Sequence, residues 1–192
     1  MYPYLGNTLQ NFTLENINMI FLKMFNRFKI TFDKSYNEKK DLTEKLLYMH
    51  DYLRFACIIN CYNVVKIILN QYLIKGVNIN DISKYGETAI YLACHNNSYE
   101  SALQLIEIPE LEINNKTDNQ TPFMVACNFY FLPIINLLLE RNDLNVNGRY
   151  ENKNDTPWQR LKSKWLQYNN NEPELNDILI KIKNHPSYDP NY

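Results

Sequence analysis

The sequence predicts an all-α chain built from a repeated unit of helix, turn, helix and extended loop. Three observations carry that expectation. First, a Thr-headed segment recurs. It reads Gly86-Glu87-Thr88-Ala89-Ile90-Tyr91-Leu92-Ala93-Cys94, then Asn119-Gln120-Thr121-Pro122-Phe123-Met124-Val125-Ala126-Cys127, then Asn154-Asp155-Thr156-Pro157-Trp158-Gln159-Arg160-Leu161. The Thr positions stand 33 and 35 residues apart, and a steady period of that length marks a repeat architecture. Second, an apolar stripe begins nine residues after the Ala of each unit. It holds Val65 with Ile68 and Leu69, Ala102 with Leu105 and Ile106, and Ile135 with Leu138 and Leu139. Offsets of three and four put each set on one helical face. Third, a short pair ending in Asn closes each unit, at Ile79-Asn80, Ile113-Asn114, Val146-Asn147 and Pro190-Asn191.

Residues 1–40 form an N-terminal segment. Met1 to about Asn11 reads as irregular. Thr13 to Lys29 reads as an amphipathic helix with Leu14, Ile17, Ile20, Phe21, Met24, Phe25 and Phe28 on one side. Lys23, Arg27 and Lys29 lie toward its end, where cations suit the helix dipole. Such a helix could lie on a membrane surface. A terminal repeat, however, exposes half of its core and needs a cover, so a capping helix is expected. Asp33 to Lys40 is polar and expected as a loop. Asp41-Leu42-Thr43-Glu44 has the form of a capping box and opens the repeat region, 41–192. Its units are 41–80, 81–114, 115–147 and 148–191. The first holds a more degenerate copy, Asp51-Tyr52-Leu53-Arg54-Phe55-Ala56-Cys57. In the fourth, helices from Pro157 to Tyr168 and from Pro173 to Lys183 are expected, with a turn at Asn169-Asn170-Asn171 between them.

The period and the Thr-Pro opening resemble the ankyrin repeat family. The family's Thr-Pro-Leu-His-x-Ala-x pattern is matched by Thr121-Pro122-Phe123-Met124-Val125-Ala126-Cys127 except at its Leu and His. The residue types suit their places. Thr can satisfy free N–H groups of the first turn, Pro lacks only an N–H that would be unused there, and Ala lets two helices approach. The resemblance implies an ankyrin-type solenoid of about four degenerate repeats over roughly three quarters of the chain. Tyr91, Met124 and Gln159 replace the family's His. Its hairpin Gly survives as Gly86 and becomes Asn119 and Asn154 later. Its Gly between the two helices becomes Asn60, Asn97 and Tyr130. Asn tolerates positive φ. Tyr does so poorly, so an altered turn is expected at Tyr130.

Composition narrows the function. The formal net charge is −1, which argues against a dedicated nucleic-acid binder. No apolar run approaches a membrane span, and no basic-then-apolar signal opens the chain. Four Cys in 192 residues are too few for a disulfide scaffold. A cytoplasmic, monomeric protein is expected. With only 4 Gly there is no phosphate-cradling loop. His50, His95 and His185 sit in no catalytic motif, so no enzyme, cofactor or metal is expected. Cys57, Cys94 and Cys127 share one repeat position and read as small buried hydrophobes. Cys61 is four residues from Cys57 and could join it on a metal only if further ligands were near. Asn is abundant, at 29 residues, and many fall at the turn and closing positions.

The family resemblance implies an adaptor or scaffold that binds a protein partner through a concave surface of hairpin tips and first helices. In this chain those tips are Lys84, Tyr85 and Glu87; Thr117, Asp118 and Gln120; and Asn152, Lys153 and Asp155. The helix positions are Ile58 and Ile59, His95 and Asn96, and Asn128 and Phe129. Tyr85 and Phe129 stand out, because exposed aromatics are favoured anchors. The alternative is an adaptor held at a membrane surface by the N-terminal helix.

Overall fold

The computed structural model describes residues 13–38, 42–150, 155–167 and 172–191. Among them the regular elements are helical. They are α1 (Leu14–Glu38), α2 (Leu42–Ile58), α3 (Tyr62–Tyr72, continued by a 3₁₀ turn Leu73–Lys75), α4 (Ala89–His95), α5 (Tyr99–Ile106), α6 (Pro122–Phe129), α7 (Leu132–Leu138), α8 (Pro157–Gln167) and α9 (Pro173–Asn184). Helices α2, α4, α6 and α8 pack one on the next, and α3, α5, α7 and α9 do the same. Each member of the first row also packs on the following member of the second. The core lies between the two rows, where Ala56, Ala93 and Ala126 are fully buried.

The local chemistry repeats. The hydroxyls of Thr88 and Thr121 accept the N–H groups of Tyr91 and Met124, each at 3.2 Å. Thr156 accepts that of Gln159 at 3.3 Å, while Gln159 Oε1 accepts the Thr156 N–H at 2.7 Å. These bonds satisfy donors that a helix start leaves free. The closing Asn residues have a second role. Asn80 donates to Glu110 O and accepts from the Glu112 N–H, both at 2.8 Å. Asn114 donates to Asp143 O at 2.7 Å and accepts from the Asn145 N–H at 2.8 Å. Asn147 donates to Ser187 O and accepts from the Asp189 N–H. Each loop is thereby fastened to the main chain of the next.

Two expectations need correction. The turn at Tyr130 is not altered: its φ is +64°, beside +55° at both Asn60 and Asn97. A left-handed residue with a Cβ costs about 1–2 kcal/mol. Here the Phe131 N–H closes onto Ala126 O at 3.1 Å, as Cys61 does onto Ala56 O and Ser98 onto Ala93 O. The Tyr130 hydroxyl also donates to Glu172 Oε2 at 2.8 Å, just ahead of α9. The expected loop at 33–40 is likewise helical as far as Glu38. Phe32 is fully buried, and Asp33 takes the Tyr72 hydroxyl at 3.1 Å and Lys75 Nζ at 2.6 Å. These contacts hold the extra turns of α1 against α3. Met1 to Asn11, Asp41 and Asn169-Asn170-Asn171 lie outside the described residues.

α1 lies on the α2/α3 pair with Phe21, Phe25 and Phe32 buried. Phe25 meets Tyr52 edge-on at 5.4 Å, Phe21 meets Phe55 at 5.0 Å, and Phe32 meets Tyr72 edge-on at 5.1 Å. Trp158 and Trp165 are half-buried against the core, and Lys162 and Lys183 approach the Trp158 ring.

Candidate functional site

α1 carries more apolar surface than it buries. With Phe21, Phe25 and Phe32 turned inward, Ile17, Ile20 and Met24 form a shoulder beside them. Across from that shoulder stand Leu47, Tyr48 and Phe55 of α2. The loop 81–85 supplies a third wall with Ile82 and Tyr85. Together they bound an open groove of about 860 Å³. Ile20, Met24, Leu47, Tyr48, Ile82 and Tyr85 are all exposed large apolar side chains.

The groove has a charged base. Arg54 is buried between Asp51 at 2.6 Å and Asp81 at 2.5 Å. His50 lies behind it, its Nδ1 3.4 Å from Asp81 and its Nε2 accepting the Asn78 N–H at 2.9 Å. Burial holds the His50 pKa below its ordinary value; the Arg54 charge adds to this, and Asp81 opposes it.

Beyond the groove, the first-row helices carry a run of rings. Tyr91 and His95 lie 6.0 Å apart, His95 meets Phe129 edge-on at 5.0 Å, and Phe129 stacks on Phe131 at 5.7 Å. Phe129 remains 45% exposed. Burial raises the pKa of the Tyr91 phenol, and the nearby charges of Asp118 and Glu87 raise it further.

The expected contact residues fall into three groups. Lys84, Tyr85, His95, Asn96, Asp118, Asn128 and Phe129 are exposed. Lys84 Nζ sits 4.9 Å from the Tyr85 ring centre. The Asn96 amide is tied back to Leu92 O at 2.8 Å, and Asn128 accepts from Arg160. Glu87, Gln120 and Asp155 are half-buried. Glu87 braces its hairpin through Ser83, and Asp155 holds Arg160 at 3.0 Å. Thr117 differs from its expectation. It is 3% exposed and donates its hydroxyl to Gly86 O at 2.8 Å, so it joins two hairpins instead of facing solvent. Asn152 and Lys153 lie outside the described residues.

The groove shoulder was not anticipated. Its signal was present in α1, whose apolar residues span more arc than one packed face needs, but the sequence does not say which part stays uncovered. Arg160 was also missed; its guanidinium lies 3.6 Å from the Tyr150 ring centre. Cys57, Cys94 and Cys127 are buried, and burial pushes each thiol well up, away from the reactive thiolate form. Cys61 Sγ points to Asn18 O at 3.9 Å. Among the described residues no three His, Cys, Asp or Glu side chains gather as a metal site. None of the described helices is long and apolar enough to cross a membrane.

No family model matches the chain. Over 71 residues it is 35% identical to the human SMC5-SMC6 complex localization factor protein 1. That match takes in 36% of this chain and 7% of the human protein, so the chain spans a small part of that relative's length.

Proposed function

We propose that the chain is a non-catalytic, ankyrin-type module that binds a partner protein along a concave face of hairpin tips and first-row helices. The observation that carries this reading is the exposed apolar surface itself. Ile20, Met24, Leu47, Tyr48, Ile82 and Tyr85 gather around one groove, and His95 and Phe129 continue the face. Scattered apolar residues need no explanation, whereas a contiguous patch marks an interaction site. The repeated Thr caps, the left-handed turns and the two helix rows support the ankyrin-type reading. The human relative's name refers to a protein complex, which agrees with a protein partner here. Phe21 and Phe25, which a membrane tether would have to present, are buried, and this favours the partner reading.

The test is affinity capture from the native cell with wild type and with Tyr85→Ala plus Phe129→Ala. The double variant is expected to lose partners that the wild type retains. Identical partner lists would remove this face from consideration.

A further inference from the structure

We infer that the groove and the neighbouring ring surface take one extended segment of a partner. That segment carries an apolar side chain and, a few residues away from it, a lysine or arginine. The inference rests on the concave-face reading and names its ligand.

The apolar requirement comes from the groove, whose walls are Ile20 and Met24 on one side, Leu47 and Tyr48 on another and Ile82 on the third. The basic requirement comes from charge. At the groove, Arg54 neutralises part of the Asp51 and Asp81 charge from within, and Lys84 sits over Tyr85 at the rim. At the next hairpin the balance changes. The Thr117 hydroxyl donates to Gly86 O at 2.8 Å, which brings the hairpins of Asp118 and Glu87 together. The Thr88 hydroxyl accepts the Tyr91 N–H at 3.2 Å, which puts Glu87 at the start of α4. The charges of both carboxylates also raise the Tyr91 phenol. Neither carboxylate is in an ion pair among the described residues. Glu87 accepts the Ser83 hydroxyl at 3.1 Å. Asp155, one hairpin further on, is answered by Arg160. The unanswered negative charge therefore sits at the hairpins beside Tyr91, from which the run of rings leads to His95 and Phe129.

A guanidinium or ammonium placed there meets two carboxylates, which form charge-assisted hydrogen bonds with it. Lys84 disfavours a cation at the groove rim, so the apolar side chain belongs in the groove and the basic one at the next hairpin. Neighbouring packed helices stand about 8–10 Å apart, and an extended chain advances about 3.3 Å per residue, so about three extended residues reach from one helix to the next. An acidic segment would meet Glu87 and Asp118 as like charges.

The test uses the full chain and three synthetic peptides. The first is Gly-Ser-Arg-Gly-Ser-Phe-Gly-Ser-Arg-Gly-Ser, with a basic residue on either side of the Phe; the second replaces both Arg with Glu; the third replaces its Phe with Ala. Binding is followed by amide chemical shifts in low salt. The first peptide is expected to shift Ile82, Tyr85, Tyr91 and Phe129 together, and to bind at least about fivefold more tightly than either of the others. Glu87→Gln with Asp118→Asn, both outside the core, is expected to remove the preference for Arg over Glu while an unchanged spectrum elsewhere shows the fold intact. If Arg and Glu peptides bind this face equally, or if the double variant keeps the preference, the basic-segment inference is overturned and the face itself stands. If the first peptide moves none of the four amides, the inference is overturned outright, and the capture experiment with Tyr85→Ala plus Phe129→Ala decides the face separately.

Discussion

From α3 to α9, successive helix pairs are joined by polar side chains that reach main-chain atoms, as Asn80, Asn114 and Asn147 do. Arg141 adds to this by donating to the carbonyls of Ile106, Ile108 and Leu111. At the α1 end the joint is mainly of rings, Phe21, Phe25, Phe28 and Phe32 against Tyr52, Phe55 and Tyr72, with Asp33 bound to Tyr72 and Lys75 toward the end of the helix. A hydrogen-bonded joint closes tightly over a short reach. A joint of large rings holds two helices apart and leaves a shoulder uncovered. The groove lies at this aromatic end.

Three experiments can break or sharpen this contrast. The largest effect is expected for Phe25→Ala. Its ring is fully buried, and such a deletion costs about 3–5 kcal/mol. Limited proteolysis is expected to cut α1 while α4–α9 stay protected. Uniform protection of α1 in the variant would show that the rings are not what holds it. Asn114→Ala comes next. It removes two exposed hydrogen bonds worth about 0.5–1.5 kcal/mol each. Its expected signature is a lower urea midpoint for α4–α9, with α1 protected as before. Loss of α1 protection in this variant would show that the two joints are not separate.

The smallest effect concerns His50, which lies where the two kinds of joint meet. Its folded pKa is depressed from an ordinary value near 6.5, so between those two values the unfolded chain binds a proton that the folded chain does not. Stability is therefore full above about pH 6.5 and falls as pH drops through the depressed folded value, below which no more is lost. Protonation would also set a donor on Nε2 against the Asn78 N–H. The urea midpoint of wild type is expected to fall between pH 7.5 and 5 by more than that of His50→Gln. Equal changes would clear His50 of this role.

Much of the fold was legible because it rests on short-range chemistry. Thr88 and Thr121 as caps, and Asn60 and Asn97 as left-handed turns, need only a few neighbouring residues to specify them. What was not legible depends on distant partners. Tyr130 keeps its turn with a bond to Glu172, 42 residues away. α1 continues past Lys29 because Asp33 finds Tyr72 and Lys75. Thr117 is hidden because Gly86 offers its carbonyl 31 residues earlier. The groove was hidden for the same reason: Ile20, Leu47 and Ile82 come from three separate segments, and no periodicity brings them together.

The closing Asn residues have a consequence for how such a chain can change. Each addresses only a carbonyl and an N–H of the next loop, as Asn80 does at Glu110 and Glu112. The side chains at the receiving positions are therefore free to vary without loss of the joint. A duplicated unit would arrive with its own Asn and find the same main-chain partners waiting. Growth of the array by one unit then needs no matching pair of substitutions, and the outward side chains of the new unit can diverge independently of the joints that hold it.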